Sequence, residues 1–204
     1  MKPYTVAITG ASGAVYGVRL LEVLAEQKVP VELVISDTAK IVMKEEGQVL
    51  PSGTGPGSES GPVPFVTIRD FHDFTAPIAS GSYPTEGMVI VPCSMGTLGA
   101  IASGLSQNLI HRAADCTIKE GRKLILVPRE TPLSAIHLEN MLKLARLGVK
   151  IVPPMPAFYS QQKSLQDLVD FVVGKILDQM GVPHMLYPRW VGKMDHRPQT
   201  TDHS

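Results

Sequence analysis

The stretch Tyr4-Thr5-Val6-Ala7-Ile8-Thr9-Gly10-Ala11-Ser12-Gly13-Ala14-Val15-Tyr16-Gly17 decides the fold. Its first six residues form a mostly apolar run that stops at a glycine, and from Val15 to Leu24 apolar residues recur at helical spacing. The reading is strand, tight turn, helix. Val31 to Ile35 is a second buried-strand candidate, followed by Ser36-Asp37 and a helix-compatible stretch through Glu46. The unit is βαβ with a right-handed crossover.

Further along, strand patterns fall at Phe65 to Ile68, Met88 to Val91, Lys123 to Val127 and Val149 to Val152. Helical patterns run through Ser103, from about Asn108 to Lys119, from Leu133 to Leu147, and on to Met180. Thr131-Pro132 reads as N-cap and first helical position, where proline needs no amide partner. Ser164 with Asp167 reads as a capping box. Strands alternating with helices, and apolar along nearly their whole length, predict a parallel sheet covered on both faces. Gly47 to Pro64 is a Gly-, Pro- and Ser-rich surface loop. The domain is expected to span 1–182, with an irregular tail at 183–204.

Composition narrows the partners. The 204 residues carry 19 Lys+Arg against 19 Asp+Glu, so the basic excess of a nucleic-acid binder or the basic face of a membrane-surface protein is missing. No apolar run approaches the ~20 residues of a membrane span. The charged fraction is 19%, below the roughly 25% of ordinary soluble domains, which suits a chain whose surface is partly buried in an oligomer. Cys93 and Cys116 lack CxxC spacing, and Met1 leads into a strand without a signal-peptide layout; a reduced, cytoplasmic protein is expected. The histidines are scattered and His137-Leu138-Glu139-Asn140 is not HExxH, so no metal site is expected.

Ligands of such sheets bind beyond the carboxyl ends of the strands. There the sequence delivers Gly10-Ala11-Ser12-Gly13, then Ser36, then Ser94-Met95-Gly96-Thr97, then Arg129-Glu130. The first turn offers amides to an anion at a helix N-terminus, although its glycines fit neither GxGxxG nor a P-loop and a plain helix cap stays open. Asp37 stands about where a NAD enzyme holds its ribose, and equally where an N-cap belongs. Ser94-Met95-Gly96-Thr97 reads as a capping turn or a ligand contact. Arg129-Glu130 emerges from a buried strand into the crevice, as a site pair or as a structural ion pair. Arg112 and Lys119 share a helix face, Tyr159 follows a strand, and Lys175 lies off an apolar stripe; for each, an ordinary surface or structural role stays open.

Six segments in order, Gly10 to Gly17, Pro92-Cys93-Ser94-Met95-Gly96-Thr97-Leu98, Arg112-Ala113-Ala114-Asp115, Pro128-Arg129-Glu130-Thr131-Pro132-Leu133, Pro156-Ala157-Phe158-Tyr159 and Pro188-Arg189-Trp190, resemble the UbiX-type flavin prenyltransferases over about residues 4 to 191. That resemblance implies a single Rossmann-like (flavodoxin-like), doubly wound parallel sheet, related to the fold of the cysteine decarboxylases. It implies transfer of the dimethylallyl group of dimethylallyl monophosphate to N5 and C6 of reduced FMN, without a metal. The prenylated FMN produced would serve a separate UbiD-type decarboxylase, and the assembly would be a homododecamer. By the same resemblance Gly10, Ala11, Ser12, Ser36, Ser94, Met95, Gly96, Thr97, Arg112 and Arg129 are FMN contacts. Lys119, Arg129, Glu130, Tyr159, Lys175 and Trp190 are donor contacts, and Ser12, Glu130 and Tyr159 are catalytic. Some relatives carry Arg where this chain has Lys175, which keeps the charge but not the bidentate grip.

The chemistry agrees with these residue types. An allylic phosphate ionises to a cation, so cationic donors must take the departing phosphate, each worth about 3 kcal/mol by analogy with oxyanion-hole donors. The π faces of Tyr159 and Trp190 suit the cation, Glu130 suits proton management, and no DDxxD motif is present for Mg-diphosphate. The competing readings are a flavin-dependent cysteine decarboxylase and a non-catalytic FMN carrier. The first calls for a catalytic His and an Asn-bearing motif where this chain has Pro92-Cys93-Ser94-Met95, and the second has no use for Lys119, Glu130 and Lys175. Trp190, in the tail, is expected to reach a neighbouring subunit.

Overall fold

The structure, a computed structural model, describes residues 1–49, 65–159 and 163–190. Most of the expected Gly47 to Pro64 loop and the end of the tail lie outside the described residues. Six strands form one all-parallel sheet: β1 (Tyr4–Ile8), β2 (Val31–Ile35), β3 (Val66–Arg69), β4 (Gly87–Cys93), β5 (Lys123–Pro128) and β6 (Lys150–Ile151). Their order is β3-β2-β1-β4-β5-β6, that of the Rossmann branch of doubly wound sheets, with the order reversing between β1 and β4.

Helices α1 (Ala14–Glu26), α2 (Asp37–Glu45), α3 (Met95–Ala102), α4 (Leu109–Lys119), α5 (Ala135–Arg146) and α6 (Leu165–Met180) cover both faces. Alternation along the strands splits the core in two. Val89 and Val91 of β4 join Val6, Ile8, Leu20, Leu24, Val172 and Ile176 on the α1/α6 face. Met88 and Ile90 join Leu98, Leu109, Ile110, Leu126 and Leu144 on the α3/α4/α5 face. A strand with apolar residues at every position can only sit between two such layers.

Capping explains where the helices start. Ser36, Ser94, Asn108 and Ser164 each accept a hydrogen bond from a first-turn amide, and Asp167 completes the expected box. Two expectations need correction. Thr131-Pro132 does not open α5: that peptide is cis, and the helix starts at Ala135 behind Ser134. Ser134 Oγ accepts from His137 N while His137 Nδ1 accepts from Ser134 N, satisfying two amides that Thr131 would leave open. Asp37 is not the cap of α2 either, since Ser36 holds that position and Asp37 pairs with Lys40 and His72 in solvent. Those two partners hold its carboxyl below the ordinary range.

α5 is unusual for a helix on a sheet. Only Leu144 is buried, while Ile136, Leu138 and Leu142 are exposed, with Leu133 and Leu147 at its ends. Among the described residues no helix is long and apolar enough to cross a membrane.

Candidate active site

At the reversal point between β1 and β4 the strand ends open into a cavity of about 340 Å³, within the size range of small-molecule sites. Its wall includes Thr9 and Gly10 after β1, Ser36 and Thr38 after β2, and Ser94, Gly96 and Thr97 after β4. Thr9 fixes the floor: its Oγ donates to Pro92 O at 2.9 Å and accepts from Ser94 N at 2.8 Å, so the ends of β1 and β4 cannot drift apart. Gly10 must lack a side chain, because a Cβ there would lie 2.4 Å from Thr38 Cγ2. Gly13 turns the chain into α1 with φ of 103°, in the region that favours glycine.

The N-terminus of α1 has an occupant that the sequence did not reveal. Glu46, just past α2, places Oε1 2.9 Å from Gly13 N and Oε2 2.9 Å from Ala14 N. A carboxylate therefore sits where free amides attract an anion. Phe71, Asn108 and His111 also line the cavity and were equally absent from the sequence reading. Asn108 accepts from His111 N, tying the start of α4 to the wall. Burial pushes the His111 imidazole below its ordinary pKa, toward the neutral form. Cys93, at the end of β4, is fully buried and its thiol is pushed far up by desolvation, which removes it as a nucleophile.

Arg129 and Glu130 leave β5 beside this opening. Arg129 N donates to Cys93 O at 3.2 Å, and Glu130 Oε1 accepts from Thr131 N at 3.0 Å. Burial raises the pKa of Tyr16, and the positive charge of Arg129 partly offsets it. Ala11, Ser12 and Met95 adjoin the lining residues in the chain. Gly10, Ala11, Ser12, Ser36, Ser94, Met95, Gly96, Thr97, Arg129 and Glu130 thus gather at one end of the sheet.

The remaining expected residues do not. α4 begins at the cavity with Asn108 and His111 and runs back along the sheet, so Lys119 at its last turn lies about 12 Å further along the axis. There its ammonium meets Glu120 next to Gly81, close to the start of β5. Arg112 turns the same way, donating to Ala79 O at 2.9 Å and to Asp115 at 2.8 Å. Tyr159 and Trp190 form a third group against α6, on which Lys175 lies 3.7 Å from Asp178. There Tyr159 meets Phe171 and Trp190 edge-on at 6.1 and 5.6 Å between centroids. None of Arg112, Lys119, Tyr159, Lys175 and Trp190 lines the cavity.

The donor set fits FMN. Hydroxyls of Thr9, Ser36, Thr38, Ser94 and Thr97 suit a phosphate and a polyol chain, the N-terminus of α3 suits the phosphate charge, and Phe71 and Ala100 give apolar wall for a ring system. Such a crevice at the reversal point of a parallel sheet defines an α/β protein that binds a mononucleotide-like cofactor. The model of the Flavoprotein family matches residues 1–177, and the chain belongs to that family, in its flavin prenyltransferase branch. The flavin prenyltransferase UbiX of Halalkalibacterium halodurans is 48% identical over 205 residues, covering 95% of each chain. Among solved structures, AnUbiX (PadA1) in complex with FMN and dimethylallyl pyrophosphate superposes with a TM-score of 0.83 at 40% identity, covering 95% of this chain and 99% of that one. A dodecameric FMN-dependent UbiX-like decarboxylase from Escherichia coli O157:H7 gives 0.82 at 43% identity, covering 93% and 100%.

Proposed function

We propose that this protein is a flavin prenyltransferase that joins the dimethylallyl group of dimethylallyl monophosphate to N5 and C6 of reduced FMN. The observation that carries the reading is the hydroxyl-lined cavity at the β1/β4 reversal, with Arg129 and Glu130 following the end of the neighbouring strand β5. FMN is substrate here: bound and reduced, it supplies the nucleophilic N5 and C6. The donor's C–O bond breaks with its electron pair going to phosphate, N5 and C6 each bond to a donor carbon and each give up a proton, and the donor's alkene takes up one, so one proton is released net.

The residues divide this work. Ser36, Ser94, Gly96 and Thr97 hold the FMN phosphate and polyol chain, and the Gly10-Ala11-Ser12 turn allows the ring to lie against the backbone. Arg129 serves both halves of the site, and Glu130 and Ser12 accept and relay the released protons. Lys119, Tyr159 and Lys175 take the leaving phosphate, while Tyr159 and Trp190 shield the allylic cation.

On one chain these groups lie in three places, so copies of the chain must complete each other's sites. We therefore assign a homo-oligomer, with twelve subunits as in the Escherichia coli relative, and a 183–204 tail that contacts a neighbour. The exposed apolar residues of α5 and the low charged fraction support burial between subunits. The product suits a UbiD-type decarboxylase that uses prenylated FMN. The unpaired, buried Cys93 and Cys116 suit a cytoplasmic setting.

The test is anaerobic incubation of the protein with reduced FMN and dimethylallyl monophosphate or diphosphate, then mass spectrometry of the flavin. A C5 increment with the monophosphate is expected. Bound FMN of unchanged mass with both donors would sink the transferase and leave the carrier reading.

A further inference from the structure

The C-terminal tail returns to α6 and closes around one carboxylate. Asp178 Oδ1 takes Arg189 at 2.7 Å and His184 Nε2 at 3.2 Å, while Oδ2 takes Tyr187 OH at 2.6 Å and lies 3.7 Å from Lys175 Nζ. A carboxylate offers about four acceptor sites, and all four face a partner. His184 Nδ1 accepts from Leu186 N, and its Nε2 lies between Asp178 Oδ1 at 3.2 Å and Arg189 Nη2 at 3.1 Å. The His184 side chain is 1% exposed, and the Arg189 guanidinium lies 5.1 Å from the centre of the Tyr187 ring.

From this point an aromatic chain leads to the donor residues. Tyr187 packs on Phe171 at 4.9 Å, Phe171 on Tyr159, and Tyr159 on Trp190. The approach depends on Gly174, where a Cβ would lie 2.5 Å from the Tyr187 ring and 2.7 Å from His184. An ordinary surface ion pair contributes almost nothing; a half-shielded carboxylate with four partners drawn from two segments fixes geometry instead.

We infer that Asp178 is a positioning residue for the donor half of the site, clasping residues 184–189 to α6 and so holding Trp190 against Tyr159 beside Lys175. The inference rests on the function proposed above. Asp178 engages Arg189 tightly and Lys175 loosely, which leaves the Lys175 ammonium as the cation free to turn toward a phosphate.

Trp190 is the single tryptophan of the chain, so its fluorescence reports the clasp directly in FMN-free protein. In Asp178→Asn and, independently, Gly174→Ala, Trp190 anisotropy should fall and acrylamide quenching should rise. In the same variants KM for dimethylallyl monophosphate should rise at least tenfold, with FMN affinity within twofold of wild type. Gly174→Ala keeps the carboxylate and displaces the tail, so it carries the test if Asp178→Asn does not assemble. Unchanged Trp190 mobility in both variants would overturn the clasp, and a mobile Trp190 with unchanged donor KM would overturn its positioning role. A wild-type protein that prenylates no flavin would overturn the function itself, a result distinct from either because the fluorescence arms need no turnover.

Discussion

Two helical glycines should respond to alanine with opposite sign. Gly17 lies in α1, where a Cβ would stand 2.6 Å from Val91 O and 3.1 Å from Ile8 Cδ1. The carbonyl is backbone near the end of β4, a central strand whose register with β5 shifts between Ile90 and Cys93, so relieving the clash takes a backbone shift of α1 or of that strand end. Such overpacking costs about 1–3 kcal/mol, against a gain of about 1 kcal/mol in helix propensity. Gly17→Ala should therefore lose about 1 kcal/mol and at most about 2. Gly99 in α3 meets only Asn140 Nδ2 at 3.5 Å, an ordinary contact, so Gly99→Ala should keep a propensity gain of roughly 0.5–1 kcal/mol. For a chain of this size each kcal/mol moves Tm by about 2–4 °C, which separates the variants by roughly 3–8 °C in scanning calorimetry. Because the N-terminus of α1 borders the cavity, Gly17→Ala should also weaken FMN binding. A Gly17→Ala Tm at or above wild type would refute the claim that α1 is pinned at van der Waals contact on β4.

Acid should release the Asp178 clasp. Partial burial alone would raise its pKa, yet hydrogen bonds from Tyr187, Arg189 and His184 hold it down to about 2. The folded value is below the unfolded one, so the stabilisation is present above pH ~4 and disappears as pH falls toward ~2, on the order of 1–2 kcal/mol after screening. The Tm gap between wild type and Asp178→Asn should shrink over that window, and a constant gap would contradict the linkage. Arg129→Ala should weaken FMN binding by about 10–100-fold, the loss of a charged hydrogen bond. Glu130→Gln should keep FMN and slow turnover by about 10²–10⁴; wild-type rates for both would remove these residues from the site. Finally, coexpressed Lys119→Ala and Glu130→Gln chains, each inactive alone, should regain about a quarter of the wild-type sites if the two residues come from different copies. Absence of recovery in confirmed mixed oligomers would put both in one chain.

Local physics made most of the fold readable. β2 falls at Val31 to Ile35 as expected because a short, mostly apolar, β-branched run between Pro30 and Ser36-Asp37 reads as a buried strand. The Ser164/Asp167 box marks α6 because both partners lie within one turn. The start of α5 was misplaced because proline after threonine imitates a helix entry, while the actual cap depends on His137 acting as an acceptor, a role rarely looked for in that residue. The strand-end residues were legible through one rule, that parallel sheets bind at their carboxyl edge. Glu46 was not: it meets Gly13 across 33 positions, and no local pattern distinguishes it from any acid at a helix end. Phe71 and His111 were hidden for the same reason, since they reach the cavity from elements whose spacing shows only a loop and an amphipathic helix.

The place of Lys119 is a different matter, because it follows from connectivity alone. In an alternating parallel fold every helix that begins at the carboxyl edge must end at the amino edge, next to the following strand. Lys119 is the last residue of α4 and Lys123 the first of β5, so a single chain holds Lys119 at the opposite edge from Arg129 and Glu130. The resemblance names all three as parts of one donor site. Both statements hold together only if the site is shared, with the amino edge of one copy brought to the carboxyl edge of another. This also gives the charge-poor surface a specific use: a heterologous contact joins two different patches, and among the exposed apolar residues of this chain two groups stand apart. One is the outside of α5, and the other is the region of Met155, Phe158, Tyr159 and Trp190 beside the tail. An enzyme built this way has no active monomer, so dilution that dissociates the assembly should abolish turnover while the hydroxyl-lined cavity of each chain remains intact.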